Sequence, residues 1–156
     1  MAITDLPVII VFVFIIAFMF VIGAMLKDAI FPKMKLAMPS ASGIFDTVSN
    51  AFGVLDYVFM ITAFGFGIAT ILLAFQIDTH PAFFFISLFI TIISLILSPI
   101  FSNVFGIIAK NPTFSAAAES FPFIRQVMQN LPIFILVIGS MVSIVLFAKI
   151  RSGGSE

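Results

Sequence analysis

Between residues 54 and 98 only Asp56 and Asp78 carry a formal charge. The run divides into two apolar segments, 54–77 and 82–98, at the polar break Gln76-Ile77-Asp78-Thr79-His80-Pro81. Segments this long and this poor in charge suit about 30 Å of hydrocarbon, where backbone groups must be satisfied within the segment itself. A pair of helices follows. The first carries Thr62, Gly65, Ala69 and Gln76 at spacings of three, four and seven; the second carries Ser87, Thr91, Ser94 and Ser98 at four, three and four. Those spacings place each set on one helical face. In lipid, a seam of small and hydroxyl residues is where another helix packs, because backbones approach closely and hydroxyls can bond across. The pattern predicts a membrane-embedded hairpin whose seams face each other or a partner.

The same solvent is implied for the rest of the chain. Its composition is 62% hydrophobic and 9% charged, against about 25% charged in soluble domains. At 156 residues the length suits a single membrane domain, 1–156. Formal net charge is zero, with no basic run, so nucleic acid is not expected as a partner. The absence of cysteine removes disulfides, thiolate nucleophiles and Cys-ligated metal centres. Twenty-two Phe with no Trp and only Tyr57 is unusual, since Trp and Tyr ordinarily mark membrane interfaces.

Two further spans complete an all-α integral membrane bundle of four transmembrane helices plus interfacial amphipathic helices. Residues 7–26 form the first span, with Asp5 as its cap and Pro7 in its first turn. With no Lys or Arg before it, this segment reads as an uncleaved anchor. Lys27-Asp28 ends it, and Pro32 and Pro39 argue against a long helix in the basic connection that follows. Residues 43–52 set Ile44, Phe45, Val48 and Phe52 on one face and Asp46, Ser49 and Asn50 on the other. That describes an amphipathic helix lying in the interface, with Gly53 permitting a bend into the second span.

Pro99 ends or kinks the third span, leaving 100–109 as a slanted continuation or an interfacial piece. Asn111-Pro112 opens a helix over 113–129 that is too polar to span, breaks near Pro122 and is placed at the surface. Asn130 caps a fourth span, 132–148, with Gly139, Ser140 and Ser143 as its contact side; Lys149 and Arg151 terminate it, and a flexible tail follows. Lys27, Lys33, Lys35, Lys110 and Arg125 would share one side of the membrane, against Lys149 and Arg151 on the other. Basic residues favour the cytoplasm, so both termini are expected outside it.

Few residues suggest chemistry. His80 is the only histidine and is read as a cap rather than a ligand, since metal sites need three or four ligands. Asp56, beside Tyr57, opens the second span, where a carboxylate is stabilised by a helix N-terminus; it too is read as a cap. Glu119 and Arg125 could pair with each other, and Gln76 with Ser87 or a neighbouring subunit. No Ser-His-Asp set, paired acids or phosphate loop is present, and Gly65-Phe66-Gly67 is too short for a nucleotide motif. The expected protein is therefore non-enzymatic, without catalytic residues, cofactor, metal or small-molecule substrate.

Three functions fit this reading. The leading one is a structural or assembly subunit of a larger membrane complex, such as a virion membrane. Its partners would be membrane lipid, further copies in an oligomer, and other membrane or capsid-like proteins. Lys33, Lys35, Asp46, Lys110 and Arg125 would supply the contacts outside the membrane. A holin-like pore lined by the 87–98 stripe is the alternative, although the weakly charged tail does not suit one. A small transporter or ion-conducting subunit is the third, and it lacks the midplane ionisable groups such proteins use.

Overall fold

A computed structural model describes residues 6–76 and 80–153. Asp5, residues 77–79 of the polar break and the tail 154–156 lie outside the described residues, so the cap assigned to Asp5 and any role of Asp78 fall there too. Six α-helices make up the fold: α1 (Leu6–Ala37), α2 (Ser42–Ala74), α3 (Pro81–Lys110), α4 (Ser115–Glu119), α5 (Pro122–Gln129) and α6 (Leu131–Gly153), with a 3-10 turn at Pro39–Ala41 before α2. Four of them, α1, α2 with its preceding turn, α3 and α6, are long and apolar enough to cross a membrane. By that measure the chain is a multi-pass membrane protein.

The four long helices form a ring in the order α1, α2, α6, α3, each packing on its two neighbours. The helices α2 and α3, adjacent in sequence, lie on a diagonal and share no substantial interface. Their seams therefore do not face each other. The α1–α2 pair is antiparallel along its length: Phe12 meets Phe66 edge-on with centroids 5.6 Å apart, and Phe31 meets Phe45 at 5.4 Å. At the end where α3 gives way to α6, α4 lies against α1 and α3, and α5 lies between α2 and α3.

On α3 the usual inside and outside are reversed. Ser87, Ser94 and Ser98 are fully buried, while Phe85 is 69% and Phe89 65% exposed. Water would expel such a surface, whereas acyl chains are as apolar as phenylalanine. The inward hydroxyls make the close contact with α6 possible: a Cβ built on Gly139 would stand 2.3 Å from Thr91 Cγ2. Two of them also bond to their own helix, Ser94 Oγ donating to the Ile90 carbonyl at 2.8 Å and Ser98 Oγ to that of Leu95 at 3.4 Å. The Leu95 carbonyl is the one that Pro99, lacking an N–H, leaves without its helical partner. Ser98 thus repairs the gap, and α3 continues through Pro99 to Lys110, with 100–109 as its extension rather than an interfacial piece.

Several expected breaks are absent. Helix α1 runs through Pro32 to Ala37. An interior proline costs about 3 kcal/mol, and here the turns beyond it are held to α2 by the Phe31–Phe45 contact and the Lys35–Asp46 ion pair. Residues 43–52 are not a separate helix in the membrane plane. They are the first part of α2, which continues without a break through Gly53. Phe45 is buried while Ile44 and Val48 point outward, so the apolar face is divided between α1 and the exterior. At the other end α6 extends past Lys149 and Arg151 to Gly153. The 113–129 stretch is two helices, and its apolar side is packed inward: Ala117, Ala118, Phe121, Ile124 and Met128 are all buried.

Helix lengths set where the membrane can lie. At about 1.5 Å per residue, α1, α2 and α3 each measure about 45–50 Å, and α6 about 34 Å, against a hydrocarbon layer of about 30 Å. Because α6 reaches from the α4–α5 end to the end of α2 at Ala74, where Lys149 holds the Phe75 carbonyl, the excess of α1 and α2 emerges at the α4–α5 end. Residues 27–53 there form a two-helix arm.

The glycines test the packing directly. Gly139→Ala forces its methyl into Thr91 and is expected to cost about 1–3 kcal/mol, whereas Gly65→Ala, with nothing within 4 Å, leaves stability unchanged or raises it. Equilibrium unfolding in detergent followed by circular dichroism checks both. Adding Thr91→Ser, which deletes the clashing methyl, should recover most of the loss in Gly139→Ala.

Candidate functional site

Helix α5 begins with Pro122 behind an N-cap residue, Phe121, whose side chain offers no hydrogen bond. The next two backbone N–H groups, of Phe123 and Ile124, are therefore orphan donors at a buried helix start. They are satisfied from another helix. Asp56 Oδ2 accepts from Phe123 N at 2.9 Å, and Oδ1 accepts from Ile124 N at 2.8 Å. Asp56 itself is only 3% exposed. One carboxylate thus closes both donors at the positive end of the α5 dipole, with charge-assisted geometry. The adjacent Tyr57 ring rests on Phe123 with centroids 5.2 Å apart. Asp56 does not cap its own helix: it lies within α2 and caps α5, 67 residues away.

The sequence offered a signal for this latch, an acid in an apolar run together with a Phe-Pro helix start that has no capping side chain. Nothing in the spacing connects the two. Their proximity depends on α5 folding back between α2 and α3.

The packing residues separate into two groups. Ser87, Thr91, Ser94 and Ser98 are buried, and Gly139 sits against Thr91. Ser143 is half-buried and Ser140 exposed, the buried line of α6 being Leu131, Ile135, Ile138, Val142 and Leu146. On α2, however, Gly65, Ala69 and Gln76 are exposed and Thr62 is only partly covered. The packed stripe of that helix is Asp56, Phe59, Ala63, Gly67, Thr70 and Ala74. It is neighbour to the expected stripe, turned by about one residue, or 100°. Gly67 makes the close approach there, a Cβ on it falling 2.8 Å from Ile138 Cδ1. Gln76 does not reach Ser87, and neither Ser87 nor Thr91 has a hydrogen-bond partner among the described residues.

The charged residues lie at the two ends. Lys27 pairs with Asp28 at 3.0 Å, donates to Ser49 Oγ at 3.4 Å and stands 5.7 Å over the Phe52 ring. Lys35 pairs with Asp46, while Lys33, Lys110 and Arg125 are exposed at the same end. Glu119 and Arg125 form no ion pair among the described residues. At the opposite end Lys149 Nζ donates to the Phe75 carbonyl at 2.8 Å, tying α6 to the last turn of α2. His80 caps α3, its Nδ1 accepting from Ala82 N at 3.2 Å. Asn111 Oδ1 accepts from Thr113 N at 3.0 Å, a turn ahead of α4. Asn130 closes the end of α5, its Nδ2 donating to the Gln126 carbonyl at 2.8 Å, rather than capping α6. Among the described residues no three His, Asp or Glu side chains gather as metal ligands.

Removing the Asp56 carboxylate should loosen α5 first. Asp56→Ala leaves two buried N–H groups unpaired and is expected to cost about 2–3 kcal/mol; Asp56→Asn, which keeps one acceptor, should cost less. Amide exchange is the local readout: Phe123 and Ile124 should lose protection while the α3–α6 interface keeps it. Unchanged exchange at those two amides would contradict the latch. In comparisons with protein-family models, curated proteins and solved structures, nothing matches this chain.

Proposed function

We propose that this protein is a non-enzymatic structural or assembly subunit of a larger membrane complex, of the kind found in a virion membrane. The observation that supports this reading is the arm formed by residues 27–53. It extends beyond what the bilayer needs, and on it Ile30, Leu36, Met38 and Ile44 are exposed together with Lys33 and Asp46. Two helices covering only each other's inner face bury too little apolar surface to be stable alone in water. An apolar, partly charged surface outside the membrane core is what a protein partner would cover. The pore alternative rested on the 87–98 stripe, and in this chain that stripe is occupied by packing against α6.

The charge distribution supports an orientation. Lys27, Lys33, Lys35, Lys110 and Arg125 share the arm end, against Lys149 and Arg151 at the other. By the positive-inside rule the arm faces the cytoplasm and both termini lie outside it. The chain has no native cysteine, so single-cysteine labelling reads this cleanly. Ser40→Cys should react with a membrane-impermeant maleimide only after permeabilisation, and Gln76→Cys before it; the reverse pattern overturns the orientation.

The assembly role is tested by placing photo-crosslinking residues at Leu36 and Ile44 in native membranes or particles. Crosslinks to other polypeptides are expected, and Leu36→Glu with Ile44→Glu should reduce co-purification several-fold without loss of helicity. A chain that crosslinks only to lipid and always purifies alone overturns the role.

A further inference from the structure

Beside Gly67, residues of α2, α5 and α6 line a groove of about 520 Å³ that is open to the side. Met60, Phe64 and Ile68 line it from α2, and Ile133 and Val137 from α6. Its polar lining residues are Gln126 and Asn130, both from the end of α5. The wall on α2 runs from Met60 to Ile71, about 16 Å at the helical rise. It therefore lies within the span, with its polar end at the arm side of the membrane. An apolar wall of this length suits one extended acyl chain lying along it.

The polarity of the groove has the same direction as a phospholipid. Asn130 already donates to the Gln126 backbone carbonyl, whereas the Gln126 side-chain amide has no hydrogen-bond partner among the described residues. Arg125, one residue earlier on α5, is exposed outside the groove's lining and places a cation at the rim of that level. An amide donor beside a cation matches the ester carbonyl and phosphate of a lipid whose acyl chain runs down the apolar walls. We infer that the α2–α6 groove holds one acyl chain of a glycerophospholipid, with Gln126 and Arg125 receiving its ester and phosphate region. This site is independent of the assembly role proposed above and would stand if that role failed.

Extraction in mild detergent from vesicles of phosphatidylcholine and phosphatidylglycerol tests it, with bound phospholipid read by native mass spectrometry and phosphate analysis. The wild-type chain should retain about one phospholipid per chain. Val137→Trp and Ile68→Trp, which fill the groove from opposite walls, should each lower retention several-fold, as should Gln126→Leu. Ile92→Trp, on the lipid-facing side of α3, should retain lipid like the wild type; circular dichroism identifies which variants are folded. No lipid on the folded wild-type chain, or equal retention by wild type and both folded groove-filling variants, overturns the proposal. An Ile68→Cys chain that forms disulfide-linked dimers in vesicles also overturns it, by assigning the groove to a second copy.

Discussion

Hydrocarbon cannot hydrogen-bond, and most of this structure follows from that constraint. Most hydroxyls carried into the span look inward or to their own backbone, with Ser140 an exposed exception, while phenylalanine and isoleucine can face outward freely. Thr70 donates to the Phe66 carbonyl at 2.7 Å and Ser94 to that of Ile90, each four residues back. The same rule explains how α3 tolerates Pro99. A proline in a soluble helix interior exposes a carbonyl to water; in lipid that carbonyl needs a protein donor, and Ser98 supplies one to Leu95. The serines thus act both as donors and, through their small size, as the surface on which α6 rests.

Asp56 extends the constraint to a charge. An unpaired carboxylate at the edge of the hydrocarbon would be strongly unfavourable. Here it meets two backbone donors that would otherwise be orphaned themselves, so two unfavourable groups cancel in one contact. The contact also fixes topology: α5 is anchored to α2, and α6 begins immediately after it, between α2 and α3. A helix pair adjacent in sequence is thereby separated in space.

The arm at residues 27–53 is different in kind. Within the span, exposed apolar surface is covered by lipid, but α1 and α2 carry theirs beyond the length a bilayer covers. The Lys35–Asp46 pair and the Phe31–Phe45 contact join its two helices, and Ile30, Leu36, Met38 and Ile44 remain exposed alongside Lys33 and Asp46. The groove beside Gly67 runs along the apolar stretch of α2 from Met60 to Ile71, inside the span. The two surfaces differ in chemistry and depth, which is why a protein partner is proposed for the arm and a lipid for the groove.

The apolar character, the four long spans and the hydroxyl face of α3 were legible in the sequence, because charge depletion and the 87–98 spacing are local properties that any fold of this chain must honour. The continuity of the helices through Pro32 and Gly53 was not, and at Pro99 the sequence left continuation and interfacial piece both open, since a local preference of a few kcal/mol yields to long packing contacts on either side. Helix α2 has two small-residue stripes, Thr62-Gly65-Ala69 and Ala63-Gly67-Thr70, about 100° apart. In lipid either can face outward at little cost, so only the position of α6 selected the second. The partner of Asp56 was likewise decided by tertiary structure alone, because a backbone N–H has no residue identity for a sequence to display.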